Sequence, residues 1–156
     1  MTDTMIPQGI PAGQPLVMFR QALFQSQLRQ WWARLTLRCS CLEELDEMLA
    51  CRSVDASRYA GIRTVRISRI RGTQGKSDEF DAGFHPTQER SRSRWMGVAM
   101  EKLRGHDLPP VELIQVGDTY FVRDGHHRIS VSRAMGQDFV DAEVTVMELS
   151  PWACAG

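Results

Sequence analysis

A chain of 156 residues is long enough for one domain with an appendage, and it can bury a core without disulfide or metal staples. Nineteen Lys and Arg balance nineteen Asp and Glu, so the molecule as a whole is no general polyanion binder, and any nucleic-acid contact must come from a local patch. The four cysteines, Cys39, Cys41, Cys51 and Cys154, form no Cys-x-x-Cys pair and have no histidine at zinc-finger spacing, which argues against zinc.

Free thiols without a secretory signal at the start point to a reducing cytoplasm. No apolar run approaches the length that spans a bilayer, and no internal repeat is visible. Residues 1–15 hold Pro7, Gly9, Pro11, Gly13 and Pro15, which resist regular structure and read as a tail. From Leu16 to Arg38 the residues Phe19, Leu23, Phe24, Leu28, Trp31, Trp32 and Leu35 recur at steps of three and four, the signature of an amphipathic helix. Its Trp31-Trp32 pair is assigned to the core, with a hydrophobic interface as the alternative. Ser40-Cys41-Leu42-Glu43 has capping-box form and starts a second helix that turns Leu42, Leu45, Met48 and Leu49 inward. Residues 16–60 thus form a helical appendage suited to packing or to homodimerisation.

The main domain, residues 61–150, opens with a β-branched strand from Ile62 to Ile70. Gly72 to Pro86 is a long polar loop. Its Gly75-Lys76-Ser77 imitates a P-loop, but Ile70 occupies the position of the leading glycine and acidic residues follow instead of a helix, so the Walker reading fails. Thr87 caps a helix to Arg104 whose buried stripe is Trp95, Val98, Ala99 and Leu103, with Gly105 as its stop. Arg90, Arg92 and Arg94 crowd the start of that helix, where the dipole favours anions. They form either a solvated face helped by Glu89 or part of an anion site. Strands follow at Val111–Val116 and Thr119–Arg123, joined through Gly117-Asp118. A helix from His127 to Met135 ends at Gly136, and Phe139–Leu149 alternates as a half-buried strand.

The chemistry concentrates at Asp124-Gly125-His126-His127-Arg128, where a strand passes through a turn into a helix. A helix start favours an anion through its unpaired amides and the positive end of its dipole. Gly125 lets the backbone turn tightly, and Arg128 offers a planar fork for phosphate or carboxylate. His126 and His127 can donate to an oxyanion or move a proton near neutral pH. Asp124 can orient an imidazole or hold a divalent metal. Each residue alone has a structural alternative: a turn pair for Asp-Gly, a packed histidine, a salt bridge for Arg128. The cluster as a whole favours a functional site.

At these residues the chain resembles the ParB N-terminal/sulfiredoxin-like superfamily, over about Val65 to Met147. Ile70-Arg71-Gly72, Asp78-Glu79-Phe80-Asp81 and Leu108-Pro109-Pro110-Val111-Glu112-Leu113 carry part of the likeness, and the DGHHR motif carries most of it. The resemblance implies that Gly125, His126, His127 and Arg128 hold nucleotide phosphate (CTP, ADP or ATP, with magnesium). It lies nearer the free-serine kinases of the superfamily than the partition proteins, which carry Gly-Glu-Arg-Arg here and a helix-turn-helix domain beyond. His126 stands where sulfiredoxins carry cysteine, which removes thiolate chemistry.

The expected fold is therefore α/β (α+β): a small mixed sheet with packed helices, preceded by the helical appendage. The expected function is binding of a nucleotide or other phosphorylated small molecule. Phosphoryl transfer to a small hydroxyl substrate would draw on His127 and on a general base, Glu79 first and Asp81 second. Such a chain would be a magnesium-dependent phosphotransferase using ADP or ATP. The alternatives are a nucleotide-gated or DNA-associated regulator using Arg90, Arg92 and Arg94 and a dimer contact at Trp31-Trp32, and a nuclease with Asp78, Asp81 and Asp124 on a metal. DNA is not the favoured partner.

Overall fold

The computed structural model describes residues 11, 13–36, 42–50, 52–75 and 78–151. Its centre is a hairpin of β4 (Val111–Val116) and β5 (Thr119–Asp124). Alternation along β5 places Tyr120 and Val122 in the main core, while Phe121 points to the opposite face beside Ile114 and Leu45. Both faces are therefore covered, which explains the unbroken apolar run Tyr120-Phe121-Val122.

Among the described residues the sheet has six strands in the order β1 (Glu43–Glu44), β3 (Ile70–Thr73), β5, β4, β6 (Phe139–Leu149) and β2 (Val54–Arg66). β6 runs parallel to β4, and the long β2 pairs antiparallel with β6 at one edge. β3 and β1 extend the other side, each parallel to its neighbour. Gly72 is required where these strands meet, because a Cβ would overlap the Glu43 carbonyl oxygen and the Phe121 ring. The mixed α/β architecture expected from the sequence is the observed one.

Among the described residues four helices accompany the sheet: α1 (Gln14–Thr36), α2 (Leu45–Leu49), α3 (Arg92–Leu103) and α4 (His126–Ala134). Leu45, at the start of α2, packs with Ile114 and Phe121 beneath the sheet. On the other face α4 is the middle layer. Its Ile129 joins the sheet core, and its Val131 packs with Trp95 and Ala99 of α3 and with Phe19, Ala22 and Leu23 of α1. Phe19 meets Trp95 edge to face at 5.6 Å. The buried Trp95 indole donates to Ser130 Oγ at 2.8 Å, so its N–H is satisfied.

Several expectations require correction. Trp31 and Trp32 are not core: each is 56% exposed, and they contact one another edge to face at 5.7 Å. Only the Phe19-Ala22-Leu23-Ser26 face of α1 is buried, because α3 offers it a single groove. The second helix starts at Leu45, not at the capping box, because Glu43–Glu44 pairs with Gly72–Thr73 as a strand. Ser40 and Cys41 lie outside the described residues, as do Lys76, Ser77 and all four cysteines.

The strand expected over Ile62–Ile70 is two strands, separated by a 3-10 turn at Ile67–Arg69. Ile67 N–H donates to the Asp138 carbonyl at 2.8 Å as the chain leaves the β6 edge for the β5 side. The boundary placed between residues 60 and 61 falls inside β2, and Glu43–Glu44 of the appendage belongs to the sheet. Thr87 does not cap α3. Its hydroxyl donates to the Asp78 carbonyl at 2.6 Å, and a 3-10 turn over Glu89–Ser91 leads into the helix, which has Ser91 at its N-cap.

Candidate functional site

β5 ends at Asp124, and the chain enters α4 through Gly125, whose φ of +99° only glycine adopts without strain. There is also no room for a side chain, since a Cβ would lie 2.6 Å from Val111 Cγ1. This turn points the next three side chains in different directions.

His126 goes inward. It is buried, its Nε2 lies 2.5 Å from Thr73 Oγ1 on β3, and its ring stacks on Phe80 with centroids 5.9 Å apart. His127 is buried as well; it meets the same Phe80 edge-on at 5.1 Å and lines the cleft at the α4 start. Arg128 folds back. Its Nη1 donates to the Pro109 and Pro110 carbonyls at 2.7 Å each, and its Nη2 donates to Asp124 Oδ2 at 2.5 Å. The planar fork expected to grip phosphate thus ties the helix start to the segment entering β4.

The loop carrying the candidate acids is built around Asp81. Its Oδ1 accepts the Gly83 and His85 amides at 2.8 and 2.9 Å, and the His85 ring lies 3.1 Å away. Burial by itself raises the Asp81 carboxyl. The hydrogen bonds and charge of His85, with the Gly83 amide, outweigh that and hold it below the usual carboxylate range. Phe84, at φ +58°, closes the turn and is itself buried. Asp81 therefore faces into its own turn. Glu79 does not: it is half-buried, its carbonyl accepts the Thr87 amide at 3.0 Å, and its side chain borders a cleft.

That cleft, about 500 Å³, is lined by Glu79, Arg90, Ser91, Ser93, Arg94 and His127, and it lies where the starts of α3 and α4 converge. Its volume suits a small-molecule ligand. Two helix dipoles present their positive ends there, and no acidic residue occupies the first turn of either helix. Arg90 pairs with Asp78 at 2.9 Å on the surface, whereas Arg94 makes no ion pair among the described residues. Ser91 is 5% exposed, and its hydroxyl has no hydrogen-bond partner among the described residues. A buried hydroxyl left this way costs stability, so one on a residue that lines a cleft marks a place for a polar ligand atom or water. Ser91 and Ser93 were not singled out by sequence. The available signal was the run of arginines set against the α3 dipole, in which both serines lie.

A second cleft, about 360 Å³, lies on the other side of Arg128 and includes Lys102, His106, Ser132, Gln137 and Asp141. These polar groups already bond to one another or to neighbours. Lys102 donates to Ser132 Oγ at 2.6 Å and to Gln137, His106 pairs with Glu101, and Asp141 accepts from Thr64. Burial lowers the Lys102 pKa. With its donors engaged, this cleft offers a ligand less than the first.

The sequence-derived residues are thus only partly brought together. Glu79 and His127 share the first cleft; Asp81, His126 and Arg128 do not line it. Asp78, Asp81 and Asp124 do not converge, since each is held by its own partner, Arg90, His85 and Arg128. Among the described residues no group of three or more His, Cys, Asp or Glu is arranged to hold a metal ion. Nor is any described helix long and apolar enough to cross a membrane.

No protein-family model matches the chain. The search of curated proteins gives no match either. Among solved structures, a sulfiredoxin from Arabidopsis thaliana is similar at a TM-score of 0.41 and 16% identity, over 53% of this chain and 82% of that one.

Proposed function

We propose that this chain binds a nucleotide, or another phosphorylated small molecule, with its phosphates in the cleft between the starts of α3 and α4. One observation carries the reading: two helix N-termini, Arg94 without an ion-pair partner among the described residues, and Ser91 with its buried hydroxyl all border one cavity. The DGHHR resemblance supports it independently, because that motif begins α4 and supplies His127 to the cleft. In this arrangement Gly125 and Arg128 shape the α4 start, His126 anchors it to Thr73, and His127 meets the ligand.

Glu79 across the same cleft extends the proposal to phosphoryl transfer. A substrate hydroxyl would attack the terminal phosphorus, forming a new O–P bond as the bond to the bridging oxygen breaks. The shortened nucleotide would leave with that oxygen, and the hydroxyl proton would pass to the Glu79 carboxylate. Arg94 and His127 would stabilise the charge on the transferring oxygens. A magnesium ion would be held mainly by the phosphates themselves, as is usual for this ion, because Asp124 is already committed to Arg128.

Thermal-shift measurements with CTP, ATP, ADP and inorganic phosphate, each with and without magnesium, test the binding step. Stabilisation of about 2.7 kcal/mol is expected at a hundredfold excess over Kd. It should shrink in Arg94→Ala and His127→Ala. No shift with any of these ligands would overturn the reading. Turnover of ADP or ATP with free serine and other small alcohols, lost in Glu79→Gln with binding retained, tests the transfer step.

A further inference from the structure

α1 has two apolar faces, and among the described residues only one is covered. Phe19, Ala22, Leu23 and Ser26 pack against α3 and α4. On the opposite side Val17, Phe24, Leu28, Trp31 and Leu35, with Trp32 beside them, are 45% to 64% exposed. Their spacing of seven, four, three and four residues is a coiled-coil seam. Val17, Phe24 and Trp31 take the d positions, and Leu28 and Leu35 take the a positions.

From this seam we infer that α1 pairs with α1 of a second copy of this chain, in parallel, as a two-fold symmetric dimer. Three features of the helix select this occupant. The first is area. The six side chains present on the order of 600 Å² of mostly apolar surface, given roughly 150–250 Å² for a whole aromatic side chain. That is most of the ~800 Å² each partner contributes to a standard interface, and it reaches the top of the roughly 300–600 Å² range for the largest apolar patch on a monomer.

The second is register. Gln21 takes the remaining a position between Val17 and Phe24. Parallel in-register pairing sets Gln21 against its symmetry mate, where two side-chain amides hydrogen-bond each other; antiparallel pairing sets it against Trp31 instead. A single polar a residue is a known way to fix register. The third is charge. α1 contains three arginines, Arg20, Arg29 and Arg34, and no acidic residue. Antiparallel pairing brings Arg20 towards Arg34 of the other copy at the flanking positions, whereas parallel pairing brings Arg20 towards Gln25. Because the seam faces away from α3, the two α/β bodies lie on opposite sides of the helix pair without colliding.

The test is the solution mass of the full chain over a concentration series, for wild type and for Phe24→Glu/Leu28→Glu. Both positions are exposed, so the variant should keep its fold, checked by circular dichroism. Wild type should sediment at twice the chain mass and the variant at the chain mass. Added salt should leave the dimer unchanged or tighten it, because the helix has only like charges to screen. In a background with the four cysteines replaced by serine, Gln21→Cys should form an intermolecular disulfide on mild oxidation. A monomeric wild type at 100-micromolar concentration would overturn the inference. So would a dimer that survives Phe24→Glu/Leu28→Glu, or a dimer in which Gln21→Cys does not cross-link. A monomer that instead co-sediments with anionic phospholipid vesicles would reassign the seam to a lipid surface.

Discussion

Arg128 Nη1 donates to the Pro110 carbonyl at 2.7 Å, and through this bond the start of α4 is fastened to the segment that enters β4. The same nitrogen reaches Pro109, and Nη2 holds Asp124. Arg128→Ala should therefore destabilise the fold by about 2–3 kcal/mol, in line with charge-assisted hydrogen bonds at a largely buried group. Arg128→Lys should recover only a small part, since an ammonium cannot reproduce the planar fork. Chemical denaturation of the three proteins checks this. Equal stability of Arg128→Ala and wild type would show that the clamp is not a structural element.

Gly125→Ala should be still more costly, about 2–4 kcal/mol, because it combines a left-handed φ with a collision at Val111. Val111 is itself buried, so the comparison is a double-mutant cycle: Gly125→Ala should cost less in a Val111→Ala background than in wild type, because the collision is gone and the backbone strain remains. An equal cost in both backgrounds, read from denaturation midpoints, would assign the whole cost to φ.

Ser91→Ala separates stability from binding. Its buried hydroxyl lacks a partner among the described residues, so removing it should raise the stability of the ligand-free protein by about 1 kcal/mol. The same change should weaken nucleotide binding roughly fivefold to tenfold, the worth of one hydrogen bond of about 1–1.5 kcal/mol. Melting curves with and without nucleotide read both effects at once. A variant that loses stability in the absence of ligand would mean that this hydroxyl already has a partner.

Asp81 should shape the acid limb of stability. Its folded-state pKa lies below the ordinary value of 3.8, so its contribution is fully present above that value and is lost as pH falls through the folded value. Asp81→Asn should therefore cost most near neutral pH, with the gap to wild type closing at strongly acid pH. Urea titrations at several pH values check this, and a gap independent of pH would mean that the carboxylate charge is not what holds the turn.

Legibility followed burial. β4, β5 and β6 were readable because their alternation or continuous apolar runs mirror one or two covered faces, and the DGHHR turn was readable from Gly125. β2 was readable only in its second half, because from Val54 to Arg63 both of its faces are largely exposed and nothing imposes a pattern. β1 is two residues long and leaves no pattern at all. The periodicity of α1 showed which positions are apolar, but not that they divide into two faces of which α3 takes one. At the site, helix spacing does not reveal that His126 meets Thr73 while His127, also buried, reaches the wall of the cleft, nor that Arg128 meets two backbone carbonyls. These are consequences of the Gly125 turn and of strands distant in sequence. The arginines at the start of α3 were visible as an electrostatic anomaly, but the cleft that Arg90 and Arg94 border was not.

The central claim is that phosphate binds between the starts of α3 and α4. Its most direct test is isothermal titration with the nucleotide that gives the largest thermal shift, on wild type, Arg94→Ala and Lys102→Met. Arg94→Ala should bind at least tenfold more weakly, about 1.4 kcal/mol or more, and Lys102→Met in the other cleft should bind with unchanged affinity. Binding that is lost in Lys102→Met and intact in Arg94→Ala would contradict it.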